Sequence, residues 1–307
     1  MLDLHRLRLL REVAGRGTVH AAARSLGYTP SAISQQLAVL EREAGAPLLE
    51  RVGRNVRLTD AGAVLVRHAA SLLAGVEAAE AELASVAAGR PAGVVRVAAF
   101  QSAFLSIVVP AIRSVLGEHP AIRVEATEID VELAAPALRL QQLDAVVGDE
   151  YEGHPLAVHD DLVREPLLRE QNRLVLPLGH EAADRARVPL AELAAATWVA
   201  SQPGTGHREM VVRACREAGG FEPDLRYSSD DFLTQIELVR TAGAVALLPD
   251  LVLAHHPAPG VVTRPVERGP VGREVFLSTR AARTPAIAAV ADAMRAAAAD
   301  RTAAPLP

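Results

Sequence analysis

The chain has 307 residues, of which 50% are hydrophobic, and this is enough for two or three domains with buried cores. Its single cysteine, Cys215, excludes an intramolecular disulfide, and its first residues lack the apolar core of a secretion signal. No run of apolar residues predicts a membrane span, so we expect a soluble, cytoplasmic protein.

Charge is distributed unevenly along the chain. The net charge is −5, but residues 1–60 contain nine arginines and six acidic residues, a net charge of +3. A basic head (residues 1–60) on an acidic body (the rest of the chain) favours a polyanionic partner for the head. Solvated surface alone also produces charge differences of this size.

Three short helices are predicted in the head. Apolar residues recur there at helical spacing: Leu4, Leu7, Leu10 and Ala14, then Val19, Ala22, Ala23 and Leu26, then Ile33, Leu37 and Leu40. Thr29 and Pro30 are typical of a helix start, and Gly27 lies in the preceding turn. Two helices joined in this way form either an ordinary helical hairpin or a helix-turn-helix, whose second helix enters the DNA major groove.

The third helix has an outward face that is short, polar and almost uncharged. Its inward residues leave Ser31, Gln35, Ala38 and Arg42 pointing outwards, with Ser34 beside them. Serine and glutamine hydrogen-bond to base edges, whereas acidic residues there would repel phosphate. The face therefore favours DNA reading over a bland helical hairpin.

The stretch PLLERVGRNVRLTDAG predicts a β-hairpin with a turn at residues 53–55. Arg51, Arg54 and Arg57 cluster on it, which suits contacts to phosphate or to the minor groove. A surface loop rich in arginine would show the same charge.

Small, capping and glycine positions coincide with a known pattern over about sixty residues. They are Ala22-Ala23, Leu26, Thr29, Ala32, Ser34, Gln36, Leu40-Glu41, Gly45, Pro47-Leu48, Arg51, Leu58-Thr59 and Gly62. This combination resembles the LysR-type transcriptional regulators. Two positions depart from the family pattern: Leu49 stands where the family usually has Phe, and Pro30-Ser31 where it often has Gln-Pro.

The resemblance implies a winged helix-turn-helix that binds double-stranded operator DNA. The residues that contact DNA would include Thr29, Pro30, Ser31, Ser34 and Gln35. The hairpin arginines, Arg51, Arg54 and Arg57, would contact the DNA backbone.

A long helix is predicted from Asp60 to about Ala88, capped by Thr59. Its apolar residues alternate in steps of four and three: Leu65, Ala69, Leu72, Val76, Ala79, Leu83 and Val86. Such a heptad seam requires a partner helix, either in the same chain or in a second copy. The family resemblance implies the second copy, with Leu65, Leu72, Val76 and Leu83 in the contact of a homodimer or homotetramer.

Strands and helices alternate beyond the linker at residues 87–93, which predicts an α/β fold with mostly parallel sheets. We expect a helix over Val131–Leu140 among these elements. The stretch AGAVALLP, Ala242 to Pro249, is similar to a family motif and implies two lobes like those of periplasmic binding proteins. The chain would cross between the lobes near Asp161–Pro166 and Pro265–Gly272. The predicted domains are therefore 1–59, 60–89 and 90–307.

Three predicted helix N-termini follow strands of this body and suit a small polar effector between the lobes. Their residues are Gln101, Ser102, Ser201, Thr205, Asp231 and Phe232. Plain helix capping explains the same residues and is favoured for Asp231.

Other kinds of site are weakly supported. His255 and His256 point apart and lack a nearby ligand, and Cys215 fits an inert helical thiol better than an activated one. No nucleotide loop or catalytic triad is indicated, so we expect no metal, no cofactor and no enzyme activity. The hypothesis is a transcription regulator controlled by a small-molecule effector. The alternatives are a solute-binding protein with an incidental helical head and an enzyme built on the α/β body.

Overall fold

The computed structural model describes residues 1–26, 28–52, 55–129, 137–138, 142–157, 162–254 and 259–303. The chain divides into two compact units, the first running from Met1 to Gly93 and the second containing Val94–Leu138 and Leu143–Pro307.

The first unit contains the three predicted short helices, a hairpin and one long helix. They are α1 (Leu4–Arg16), α2 (Val19–Leu26), α3 (Pro30–Ala44), β1 (Leu49–Val52), β2 (Asn55–Leu58) and α4 (Asp60–Ala88). Thr29 caps α3 by accepting a hydrogen bond from the backbone N–H of Ala32, and Thr59 caps α4 through that of Gly62. Both predicted caps are confirmed.

One apolar core holds this unit together. Leu7, Leu10 and Val13 of α1 are fully buried against Ile33 and Leu40 of α3. The alanines of α2 that the sequence marks as small, Ala22 and Ala23, are buried in the same core and allow the helices to pack closely.

Among the described residues, one helix, Asp60–Ala87 within α4, is long and apolar enough to cross a membrane by length and composition alone. The sequence-based expectation that no segment is long and apolar enough to span a membrane is therefore wrong by these two criteria. Alanines and the leucines of the heptad seam together make α4 apolar.

The second unit is an α/β fold in which two helices contain a π-helical turn. Its elements are β3 (Gly93–Ala99), α5 (Gln101–Ala103, the π-helical turn Phe104–Val108, and Val109–Glu118), β4 (Ile122–Glu128), β5 (Ala145–Tyr151), β6 (Leu162–Pro177), two 3₁₀ turns (Glu181–Asp184 and Leu190–Leu193), β7 (Thr197–Ala200), α6 (Gly206–Ala214, extended by the π-helical turn Cys215–Gly219), β8 (Asp224–Ser228), α7 (Phe232–Ala242), β9 (Ala246–Pro249), α8 (Asp250–Leu253), β10 (Val261–Arg264), β11 (Gly272–Arg280) and α9 (Pro285–Ala303). Most of the helix predicted over Val131–Leu140 lies outside the described residues.

The larger sheet of this unit is mixed. Its strand order is β10-β6-β11-β5-β3-β4, with β9 also paired to β6. Strands β3 and β5 are parallel, but β11 is antiparallel to both β5 and β6, and β6 is antiparallel to β9 and β10. The expectation of mostly parallel sheets is wrong, because the two longest strands connect the lobes and run in opposite directions.

Each lobe has its own apolar core. In the first lobe α5 and α9 cover β3, β5 and β11, with Val97, Val147 and Leu277 fully buried. In the second lobe Trp198 and Leu247 lie in a separate core that includes residues of α6.

The chain crosses between the lobes where β6 changes partner. Gln171 pairs with Gly272 of β11, and the next residue, Asn172, pairs with Pro249 of β9. The first crossing therefore lies beyond the expected Asp161–Pro166 segment, because β6 stays paired with β11 for its first ten residues. The second crossing lies between β10 and β11, as expected.

Candidate functional site

The outward face of α3 has the character that the sequence predicts. Ser31, Ser34, Gln35 and Ala38 are exposed, whereas Ile33 is fully buried one residue away. Thr29 Oγ1 lies 3.1 Å from Ser31 Oγ, so the cap and the first exposed serine form one polar group at the start of the helix. This end of the helix presents donors and acceptors with no acidic side chain among them.

Acidic residues of α3 point elsewhere and have structural partners. Glu41 Oε1 accepts hydrogen bonds from the backbone N–H groups of Leu48 and Leu49, at 2.8 and 3.2 Å. Glu43 pairs with Arg6 of α1 at 2.6 Å. Glu41 thus ties α3 to the start of the hairpin and Glu43 ties it to α1, so neither carboxylate adds negative charge to the exposed face.

The start of α4 locks the hairpin in place. A Cβ on Gly62 would lie 2.0 Å from the carbonyl oxygen of Leu48, so only glycine permits this approach. Thr59 donates through Oγ1 to the Pro47 carbonyl at 2.7 Å and through its backbone N–H to that of Leu48 at 3.0 Å.

The hairpin arginines are described only in part. Arg57 is 74% exposed and pairs across the hairpin with Glu50, Nη2 to Oε1, at 2.6 Å. Arg54 lies outside the described residues, and only the backbone of Arg51 is described.

The heptad seam of α4 has two different environments. Leu65 and Ala69 pack in the core of their own unit, where α4 contacts α1. Further along, Leu72 is 49% exposed and Leu83 is 71% exposed, while Val76 is partly buried. The first part of the seam thus packs within the chain, and the second part is an exposed apolar stripe.

Two of the predicted effector-binding helix starts meet. Gln101 at the start of α5 donates from Nε2 to Oδ1 of Asp231 at the start of α7, at 3.2 Å. Asp231 also caps α7 through the N–H of Leu233 at 2.9 Å and accepts from Thr234 Oγ1 at 3.0 Å. The expectation that Asp231 is a capping residue is confirmed, and its carboxylate in addition links the two lobes.

The third predicted helix start, at α6, is closely bonded to its own lobe. Thr205 caps α6 and donates to the Gln202 carbonyl at 2.8 Å. Ser201 is buried, and its Oγ accepts from Gln235 Nε2 at 3.4 Å. Phe232 is buried in an apolar core with its ring edge-on to that of His207, so it supports α7 from inside.

His207 is held as the neutral imidazole. Its Nδ1 accepts from the N–H of Ser201 at 3.3 Å, and its Nε2 lies 2.8 Å from the Leu247 carbonyl oxygen. Because that carbonyl only accepts, the proton resides on Nε2. Burial lowers the pKa of His207 to about 4.

Ser102 belongs to a buried ionic cluster that sequence reasoning missed. Its Oγ accepts from Arg273 Nη2 at 3.0 Å. The same guanidinium donates to Asp149 at 2.7 Å, to Glu170 at 2.6 Å and to Tyr151 Oη at 3.2 Å. Glu170 Oε2 in turn accepts from the N–H of Leu251 at 2.6 Å. Ser102 therefore faces this cluster at the junction of the two connecting strands.

The cluster carries two carboxylates for one guanidinium. Burial raises the pKa of Glu170 above its usual value even with Arg273 beside it. For Arg273 burial acts to lower the pKa, but Glu170, Tyr151 and Asp149 outweigh it, and the pKa is raised. Arg273 therefore stays charged and fixes the surrounding oxygens.

Neither a metal site nor a reactive thiol is indicated in the described part of the chain. It contains no group of three or more His, Cys, Asp or Glu side chains that could hold a metal ion, and His255 and His256 lie outside it. Cys215 is buried, and burial raises the pKa of its thiol to about 12, so the thiolate is not formed at neutral pH.

Two family models cover nearly the whole chain. Residues 4–63 match that of a bacterial regulatory helix-turn-helix protein, lysR family, and residues 88–299 match the LysR substrate binding domain. The chain belongs to the LysR family. It is a DNA-binding transcription regulator with an effector-binding domain, and its relatives support neither a solute-binding protein nor an enzyme.

The LysR-family relatives include a curated protein that aligns over most of its length. The small neutral protease regulatory protein of Streptomyces coelicolor is 33% identical over 287 residues, which cover 90% of this chain and 86% of the relative.

Solved structures share the fold. A full-length OxyR variant from Pseudomonas aeruginosa has a TM-score of 0.73 at 23% identity, with 96% of this chain and 95% of that one covered. Full-length CbnR in complex with its target DNA has a TM-score of 0.64 at 20% identity, with 96% and 100% covered.

Proposed function

We propose that this LysR-family regulator reads its operator with the exposed face of α3. The observation that carries the proposal is that Ser31, Ser34 and Gln35 are exposed on a helix whose other side is buried and whose acidic residues are bonded elsewhere. Glutamine forms bidentate hydrogen bonds to adenine in the major groove, and the serines donate to or accept from either base pair. Thr29 and Pro30 set the start of the helix and would lie against the backbone.

The hairpin arginines Arg51, Arg54 and Arg57 would contact phosphate. Arg57 is 74% exposed and pairs with Glu50, so phosphate oxygens would replace or share that partner. This contact contributes affinity without sequence preference.

The experiment compares two neighbouring glutamines of α3. Gln35→Ala should weaken binding to the operator by about 1–3 kcal/mol and change binding to random duplex little. Gln36→Ala is the matched control, because Gln36 is half-buried and accepts a hydrogen bond from Arg6 at 3.4 Å. Equal losses on operator and random DNA for Gln35→Ala would exclude α3 as the reading helix.

Two copies would pair through the exposed part of the α4 seam, with Leu72, Val76 and Leu83 in the contact. Leu65, which is packed in its own unit, would support the seam from within. A homodimer reads two half-sites, and this multiplies the discrimination that one short helix provides.

The effector would bind near the helix starts that carry Gln101, Ser201, Thr205 and Asp231. The hydrogen bond from Gln101 to Asp231 supports this placement, since a ligand that replaces it would change how the lobes are held. Ser102 and Phe232 would act through their neighbours, Arg273 and His207.

The division of labour follows the domains proposed from the sequence. Residues 1–59 would bind DNA, 60–89 would link and pair the subunits, and 90–307 would bind the effector. We place the protein in the cytoplasm, where it reaches both DNA and metabolites.

A further inference from the structure

A cavity of about 340 Å³ lies beside the point where β6 passes from one lobe to the other. Its volume is within the range of small-molecule sites. Its lining combines the lobe-crossing residues Gln171–Arg173, the separate residue Arg187, and Pro265–Gly269 and Val271 of the loop that leads into β11. The starts of α5, α6 and α7, where the effector is proposed to bind, are not part of this lining.

The lining has more positive than negative charge. Three arginines face one glutamate, Glu267. Arg173 already has a carboxylate partner, Asp250, at 2.8 Å. Arg187 and Arg268 are exposed and have no ion-pair partner within the described part of the chain. Two guanidinium groups are therefore available for an anion.

One lining residue, Asn172, has a buried side-chain oxygen with no hydrogen-bond donor among the described residues. Asn172 is only 1% exposed, and its Nδ2 donates to the Val271 carbonyl at 2.8 Å, which leaves Oδ1 to accept. Among the described residues, none donates to Oδ1. Buried amide oxygens rarely stay unpaired, because the loss of hydration is costly without a replacement.

Together, the two observations call for a ligand that has both a negatively charged acceptor and a hydrogen-bond donor. The free arginines need an acceptor with negative charge, and Asn172 Oδ1 needs a donor. We propose that this cavity is a second small-molecule site, separate from the effector site between the lobes, and that it binds a small hydroxycarboxylate. The carboxylate bonds to Arg187 and Arg268, and the hydroxyl donates to Asn172 Oδ1.

The position of the site gives a bound ligand a structural effect. Asn172 is the first residue of β6 to pair in the second lobe, and both its backbone N–H and its Nδ2 donate to Val271, directly before β11. A ligand held there contacts both strands that connect the lobes.

Calorimetry on the full-length protein tests the proposal with malate, succinate and inorganic phosphate as probes. Malate should bind with a dissociation constant of about 1 mM or lower, and succinate, which lacks the hydroxyl, at least about threefold more weakly. Phosphate offers charge without the carbon-borne hydroxyl and should bind more weakly than malate.

Arginine variants locate the binding. Arg187→Gln and Arg268→Gln should each weaken malate binding by about tenfold, since each removes a charged hydrogen bond. Arg185→Gln is the matched control, because Arg185 is an exposed neighbour that pairs with Glu192 and does not line the cavity. All three side chains are exposed, so folding should be preserved.

Three results would overturn the site. They are the absence of malate binding at about 10 mM, unchanged binding in both Arg187→Gln and Arg268→Gln, and succinate or phosphate binding as tightly as malate. None of these results bears on operator binding by α3, so failure of this site is distinguishable from failure of the proposed DNA contact.

Discussion

The side-chain amide of Gln101 donates to Asp231 Oδ1 at 3.2 Å across a sequence separation of 130 residues. Burial acts to raise the pKa of Asp231, but the hydrogen bonds from Gln101, Leu233 and Thr234 outweigh it and lower the pKa below its usual value. The carboxylate is therefore ionised at neutral pH, and it joins the first turns of α5 and α7. Asp231 therefore caps a helix of its own lobe and also holds the other lobe through a hydrogen bond.

We expect Gln101→Ala to loosen this attachment. Loss of one hydrogen bond to a carboxylate costs about 1–3 kcal/mol at most, and side-chain truncation leaves the backbone of α5 intact. Hydrogen exchange of the amides in the first turns of α5 and α7 should become faster together.

The matched control for this variant is Gln202→Ala. Gln202 is an exposed glutamine near the same helix starts, and its contact to Asp230 runs through the backbone N–H at 2.9 Å. Unchanged exchange in Gln101→Ala, or an equal increase in Gln202→Ala, would show that the Gln101–Asp231 bond does not hold the lobes.

The N-terminal unit could be predicted closely from the sequence, because local signals determine it. The threonine caps at Thr29 and Thr59 and the buried Ile33 and Leu40 all lie where spacing and capping chemistry put them. The division of the α4 seam was missed, since periodicity shows that a face is apolar and does not show which surface covers it.

Long-range pairing could not be predicted in the same way. The direction of β11 follows from which strands it contacts, and the Arg273 cluster joins residues from four separate elements. One local signal was available for the cluster: Asp149 directly follows the apolar residues that begin β5, and a carboxylate in such a position requires a charged or hydrogen-bonding partner.

Removing the hairpin charge should act on all DNA alike. Arg57→Ala should weaken operator and random duplex by similar factors and reduce the salt dependence of binding by about one counterion. Fluorescence titrations at several salt concentrations measure the slope. Arg90→Ala serves as the control, because Arg90 is an exposed arginine after α4 and far along the chain from the hairpin. An unchanged slope in Arg57→Ala, or the same reduction in Arg90→Ala, would argue against a phosphate contact at Arg57.

A charge in the exposed seam should disrupt assembly. Leu72→Asp would bury a carboxylate between paired α4 helices, which is costly without a partner charge. Light scattering should report a smaller particle mass. Ser71→Asp adds the same charge to an exposed neighbour outside the seam, and it should leave the mass unchanged. A Leu72→Asp protein with the wild-type mass would exclude the seam as a subunit contact.

Acid should destabilise the second lobe through His207. The folded pKa is about 4, below the usual value of 6.5, so the unfolded state binds the extra proton between these values and stability falls as pH drops from about 6.5 to 4. The loss should reach on the order of 3 kcal/mol at the acid end. Denaturant unfolding followed by the fluorescence of Trp198, the single tryptophan and a core residue of this lobe, measures this loss of stability.

His207→Gln retains a donor for the Leu247 carbonyl but does not titrate, so its stability should depend less on pH. His119→Gln, a half-buried histidine of the same unit, should keep the wild-type dependence. If His207→Gln and the wild type lose stability in parallel over this range, the neutral buried imidazole is not the source of the acid sensitivity.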